Sequence, residues 1–316
     1  MSAHASGVER VAIVGCGVIG SSWAAHYLAQ GLDVVATDPA PGASERLSAL
    51  VNDFWPTLER LGLAEGASPE RLAFEPDLTA AVKGAGFVQE NGPERVDIKR
   101  DLVAAIDAAA GPDVLIASSS STILISDIQD AARHPGRVLL GHPFNPPHLI
   151  PLVEVVGGRG TTAEAIQRAL GFYTAVRKRP IHIKGEIRGH VANRLQAALW
   201  REAVFLIEQG VATVADIDTV ISQGPGLRWA LTGPLLNMHL SGGEGGIAHV
   251  LEHLGPPMEA MWRDLGDASL TDKVKRELIA GVEAGLRGSS LAELTRQRDE
   301  GLVSLLALKA KADQLP

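Results

Sequence analysis

The chain has 316 residues, a formal net charge of −8, and 46% hydrophobic and 21% charged side chains. At roughly 150 residues per domain, that length implies two domains and a sizeable core. The acidic balance disfavours nucleic acid and anionic membrane as partners, and a single cysteine, Cys16, excludes an internal disulfide. Met1–Arg10 lacks the basic start and long apolar run of a leader, so a reducing, cytoplasmic compartment is expected. The 34 glycines, set against five Trp, two Tyr and six Phe, follow no repeat and point to tight turns and close backbone approaches.

Short, continuously apolar runs alternate with helical patterns through the first half. Strands are expected at Val11–Val14, Val34–Thr37, Phe87–Glu90, Val114–Ser118, Val138–Gly141, Leu152–Val156 and Ile181–Ile183. Strands without polar alternation are covered on both faces. Helices are expected between them, at Ser21–Gln30, Ser44–Leu61 and Ile98–Ala110. The order describes a doubly wound, Rossmann-type α/β sheet. Beyond Gly189 only helical spacing returns, at Val214–Ser222, Ile247–Leu254, Leu270–Leu286 and Ser290–Ala312, with glycine-rich interruptions at Gly224–Gly226 and Gly242–Gly246. The expected organisation is an α/β domain over 1–187 and an all-helical domain over 188–316.

Gly15-Cys16-Gly17-Val18-Ile19-Gly20 follows the first strand and opens an Ala-rich helix. In that context Gly15 permits the tight turn, Gly17 admits a pyrophosphate, and Gly20 lets helix and strand pack closely. The N–H groups of Val18 and Ile19 belong to the helix N-terminus that meets the phosphates. The second strand ends in Asp38, placed to accept ribose hydroxyls and repel a 2′-phosphate. No arginine follows it, so NAD is favoured over NADP. Cys16 is read as a small filler.

Three further segments carry chemistry: Ser118-Ser119-Ser120-Ser121-Thr122 and Gly141-His142-Pro143-Phe144-Asn145-Pro146, each at a strand end, and His190-Val191-Ala192-Asn193-Arg194-Leu195 at a helix start. Ligands bind at the carboxyl ends of strands in an open α/β sheet, which places Ser121 and His142 near substrate. The histidines are otherwise scattered, with no metal-site spacing.

The glycine turn, the serine run, HPFNP, LVEVV and the NRL helix start occur in the order and spacing of the 3-hydroxyacyl-CoA dehydrogenase superfamily, which the chain resembles over nearly its whole length. It most resembles the branch that acts on short acids, which holds the L-carnitine dehydrogenases and the lambda-crystallin/L-gulonate 3-dehydrogenases. The stretch ALVNDFWPTLERLGLAEGASPERLAF is similar to the carnitine enzymes. The resemblance implies that His142 is the general base paired with Glu154, and that Ser121 and Asn193 contact the substrate oxygen. Elementary chemistry agrees, because oxidising a secondary alcohol requires hydride departure and proton removal, and histidine suits the proton step. Glu94 and Lys99 match positions that approach the cofactor in the family; a solvated helix start is the other reading of both.

Residues 40–75 hold three basic side chains (Arg46, Arg60, Arg71) against six acidic ones, which argues against a CoA thioester and for a small free acid. Arg228, beside Trp229 in GPGLRWALTGP, is read either as the cation for the substrate carboxylate, from its own or a partner subunit, or as a structural ion-pair or capping group. Trp229, Trp200 and Phe144 are candidates to face a trimethylammonium group; for Trp200, packing within an amphipathic helix is the first reading. The expected activity is NAD-dependent oxidation of an L-3-hydroxy acid, with carnitine first and L-gulonate or another short acid next. A CoA thioester or a non-catalytic, crystallin-like role ranks lower. The helical domain is expected to form a homodimer, by analogy with the family.

Overall fold

A computed structural model describes residues 7–312, so most of the Met1–Arg10 stretch read above lies outside the described residues. The chain divides into two compact units, Met1–Arg194 and Leu195–Pro316.

The first unit opens with β1 (Arg10–Val14), α1 (Val18–Ala29), β2 (Asp33–Thr37), α2 (Ala43–Leu61), β3 (Leu72–Phe74) and α3 (Leu78–Val82). It continues with β4 (Phe87–Glu90), α4 (Val96–Ala109), β5 (Leu115–Ser118), α5 (Ile125–Gln129) and β6 (Val138–Pro143). β7 (Leu152–Gly157), α6 (Ala163–Ala175) and β8 (Arg179–Ile183) complete the sheet, whose order is β3-β2-β1-β4-β5-β6-β7-β8. The pairs are parallel except β6–β7, which is antiparallel. The strand order reverses between β1 and β4, and the carboxyl ends there form the crevice of a doubly wound sheet.

The apolar strands are buried on both faces. Val11, Ile13, Leu115, Ala117 and Leu139 pack with Trp23, Tyr27, Leu47 and Phe172. Their neighbours Ala12, Val14, Ile116, Val138 and Leu140 pack with Val103, Ile106, Ile125 and Ile128. This two-residue alternation is the pleat, with helices covering each side. β3, absent from the sequence reading, is a three-residue edge strand of partly exposed residues; it is too short to establish a period.

The second unit is helical: most of α7 (Ala192–Glu208), then α8 (Val214–Gln223), α9 (Pro225–Thr232), α10 (Pro234–Ser241), α11 (Gly246–Asp264), α12 (Asp272–Gly285) and α13 (Leu291–Lys309). α9 and α10 lie at and between the two expected glycine-rich interruptions, where the sequence reading assigned no helix. Each starts with proline at its first position, where the missing N–H costs nothing. No described helix is long and apolar enough to cross a membrane.

Candidate active site

The glycine turn joins β1 to α1. Gly15 has φ +91°, and a Cβ there would lie 2.7 Å from the Asn91 carbonyl oxygen. A Cβ on Gly20 would lie 1.9 Å from the Gly15 carbonyl oxygen, whereas Gly17 faces open space. Two glycines are therefore demanded by the protein itself, and the third leaves a gap beside the backbone. α1 has no side-chain cap on its N-terminus and no acidic residue in its first turn, so its positive end, with the exposed Val18 and half-buried Ile19, suits an anion.

At the end of β2, Asp38 Oδ2 accepts the Cys16 N–H at 2.7 Å and Oδ1 accepts the Ala40 N–H at 2.8 Å. The carboxylate is thus fixed against the turn. Burial, then the Asp38 charge, push the Cys16 thiol up to about 12, so it remains a thiol and fills space.

His142 and Glu154 are direct register partners across β6 and β7, so their side chains leave one face together. His142 Nδ1 lies 2.8 Å from Glu154 Oε2. Glu154 is fully buried, and its Oε1 accepts the N–H groups of Val191 at 3.0 Å and Ala192 at 2.9 Å. Burial opposes the charge, but the His142 hydrogen bond and the Ala192 and Val191 N–H groups outweigh it and hold the carboxyl below its ordinary range. One carboxylate thus orients an imidazole and caps the start of α7.

The serine turn after β5 is gathered by Glu94. Its Oε1 accepts the Ser121 N–H at 2.9 Å, the Thr122 N–H at 2.7 Å, and the Ser120 and Thr122 hydroxyls at 2.8 and 2.9 Å. Partial burial works against ionisation, yet these bonds and the Lys99 charge lower its pKa. Ser121 is half-buried, and Asn193 Nδ2 donates to its carbonyl at 3.4 Å. Lys99 is 1% exposed, and its ammonium donates to Glu90 Oε1 and Oε2 at 3.0 Å and to the Gly92 carbonyl at 3.1 Å. Its three donors are therefore committed beneath the crevice, and neither Lys99 nor Glu94 is a simply solvated helix start. The Ser118 hydroxyl also donates to Glu90. Ser119 binds Gln89 and Asn91 instead, at 2.9 and 2.7 Å.

Sequence reasoning gave His190 no role of its own. It takes φ +51°, a left-handed conformation that costs a residue with a side chain on the order of 1 kcal/mol. The residue is 2% exposed; Nε2 lies 3.1 Å from the Ser120 carbonyl oxygen, and the ring centroid is 5.0 Å from that of His142. A carbonyl only accepts, so Nε2 carries the proton. Burial, followed by the nearby His142, lowers its pKa, leaving a neutral imidazole.

Ser121, His142, Glu154 and Asn193, with Glu94 and the glycine turn, all belong to the first unit. Arg228 and Trp229 stand on α9 of the second, both exposed. No group of three or more potential metal ligands exists among the described residues.

Residues 10–187 match the NAD-binding domain of 3-hydroxyacyl-CoA dehydrogenase, and residues 189–279 match its C-terminal domain. The chain belongs to the 3-hydroxyacyl-CoA dehydrogenase family. It is 52% identical over 299 residues to an L-carnitine dehydrogenase of Streptomyces coelicolor, covering 95% of this chain and 94% of that protein. To the L-carnitine dehydrogenase of Streptomyces griseus it is 51% identical, covering 95% and 89%. Among solved structures, the NAD+-dependent 5-formyl-3-hydroxy-2-methylpyridine 4-carboxylic acid 5-dehydrogenase superposes with a TM-score of 0.83 at 29% identity, over 96% of this chain and 99% of the other. The protein is thus an oxidoreductase of this family and carries its NAD-binding domain, and the open backbone at Gly17, the uncapped α1 and Asp38 fit that cofactor.

Proposed function

We propose that the protein oxidises the 3-hydroxyl of L-carnitine to give 3-dehydrocarnitine, with NAD as oxidant. The observation that carries the substrate is the near-full-length similarity to L-carnitine dehydrogenases at about half identity. NAD bound at the glycine turn supplies the acceptor for the hydride leaving C3. Gly15, Gly17, Val18, Ile19 and Gly20 receive its pyrophosphate, and Asp38 receives the adenosine ribose. Lys99 acts from below, fixing Glu90 and the loop to Glu94, while Glu94 shapes the serine turn on the nicotinamide side.

His142 is the general base. Glu154 engages Nδ1, so Nδ1 carries the ring proton and Nε2 is left with the lone pair for the substrate hydroxyl. As the C3–H bond breaks with its electron pair, the O–H proton passes to Nε2 and a carbonyl forms at C3. The imidazolium that results lies against a carboxylate already held ionised. Ser121 and Asn193 hold the substrate oxygen, and Arg228 and Trp229 serve the carboxylate and the trimethylammonium group.

We further propose a homodimer built on the helical unit. Among its described residues only Val250, Val274 and Val303 are buried hydrophobics, while Trp200, Trp262, Leu235 and Leu291 are more than half exposed. An apolar hollow of about 590 Å³ lies among Trp200, Val204, Ile207, Ile217 and Leu270. Apolar exposure on this scale marks an association face, and a second copy is the partner that every molecule of the protein has to hand. The lone cysteine supports a cytoplasmic setting.

The test is a substrate panel followed by NADH absorbance: L-carnitine, L-gulonate, 3-hydroxybutyrate and 3-hydroxybutyryl-CoA. The highest kcat/KM is expected for L-carnitine; a higher value for any of the others overturns the assignment.

A further inference from the structure

His190 combines three features that packing alone does not require. It spends backbone strain, buries a polar ring, and stands between two parts of the site that come from different strands. On one side its Nε2–H donates to the Ser120 carbonyl, in the turn that carries Ser121. On the other its ring lies against the His142 ring, tilted by 52°. The next two N–H groups along the chain, those of Val191 and Ala192, hold the Glu154 oxygen that His142 does not use. Glycine would take φ +51° without strain, so the side chain is what this position retains. A strained, fully determined residue beside a reacting group is where structure points to function.

We propose that His190 is a positioning residue for the oxidation step. Its imidazole is the spacer that fixes the serine turn relative to the catalytic base, so that Ser121 and the His142 lone pair meet the substrate hydroxyl in one alignment. Serving as a spacer requires a donor at the Nε2 position and no charge. A second cation beside His142 would oppose its protonation, and the buried, carbonyl-bound ring stays neutral. The role concerns alignment in the reacting complex, so it bears on kcat and leaves cofactor affinity alone. It rests on reading His142 as the base.

The full-length enzyme tests this with His190→Phe and His190→Gln. Phenylalanine keeps a ring of similar size without the donor, and glutamine places an amide N–H near the Nε2 position. Misplacing a reacting pair by about 1 Å costs up to about a hundredfold. His190→Phe is expected to lose at least about tenfold in kcat, with KM for L-carnitine and NADH affinity, read by fluorescence titration, within about twofold of the parent. His190→Gln is expected to recover most of the loss. Should the phenylalanine variant not fold, His190→Leu supplies the same comparison. Parental kcat in the donor-less variant, equal losses in both variants, or a loss confined to KM overturns the proposal. His142→Gln, assayed in parallel, separates the two readings, because parental turnover there removes the base assignment whatever His190 does.

Discussion

His142 and Glu154 face each other at the same register step of β6 and β7, with 2.8 Å between Nδ1 and Oε2. The antiparallel pair makes this possible. A residue near the end of one strand meets one near the start of the next, so the imidazole stands at the carboxyl-end crevice while its carboxylate stays in the sheet. Replacing either is expected to lower kcat by about a hundredfold or more, with NADH affinity nearly unchanged by fluorescence titration. Parental turnover in both variants would remove the dyad from the mechanism.

The Glu154 carboxyl also carries a pH signature. Its pKa is lowered in the fold, so its contribution is present above the ordinary carboxyl value of about 4.3 and is lost as pH falls through the lower folded value. Relative to Glu154→Gln, the parent's stability advantage should shrink below about pH 4. Urea unfolding of both proteins over that range is the measurement, and a constant difference contradicts it.

Gly17 and Gly20 should fail in different ways. Alanine at Gly20 puts a Cβ 1.9 Å from the Gly15 carbonyl oxygen, whereas at Gly17 nothing lies within 4 Å. Gly20→Ala is expected to lower Tm markedly. Gly17→Ala should keep the parental Tm while weakening NADH binding by about tenfold or more, since the methyl occupies the space for the pyrophosphate. Equal Tm losses would show that Gly17 serves packing.

On the proposed reading, Asp38 sets the choice between the two nicotinamide cofactors. Asp38→Arg should raise the ratio of NADP to NAD kcat/KM by about a hundredfold, through repulsion removed and a cation gained. Part of the NAD loss will come from the Cys16 N–H that Asp38 no longer accepts. An unmoved ratio would place the ribose elsewhere.

Lys178 provides a stability test remote from the chemistry. It is 3% exposed and donates to the Pro147 and Ile150 carbonyls, and burial brings its pKa down to about 7. The unfolded chain binds the extra proton up to about pH 10.4, so stability contributed by this site rises with pH between about 7 and 10. Lys178→Met lacks that slope. The parent should gain on it by up to about 1.4 kcal/mol per pH unit in denaturant unfolding, and parallel curves would contradict the assignment.

The glycine turn, its flanking strands and the pair of functional strand ends were legible because each depends on local pattern: an apolar run, a break, and a polar residue where the run stops. Glu154 stood out as a carboxylate in LVEVV. His190 gave no such signal, since its placement depends on a backbone turn and on Ser120 seventy residues away. For Lys99 a solvated helix start was one of two readings and Lys178 drew none, because only the tertiary fold buries them. The proline starts of α9 and α10 were available as signals, but the surrounding glycines masked them. Residues 188–194 sit with the first unit, because Glu154 and Ser120 hold Val191, Ala192 and His190.

Twelve residues separate His142 from Glu154, twenty-two separate Cys16 from Asp38, and seventy-two separate Ser121 from Asn193. Loop closure grows costlier, though slowly, with span. Loop entropy alone therefore ranks the three contacts: His142 with Glu154 costs least to close, Cys16 with Asp38 more, and Ser121 with Asn193 most. The contact that reaches furthest along the chain is thus the one the rest of the fold must hold in place.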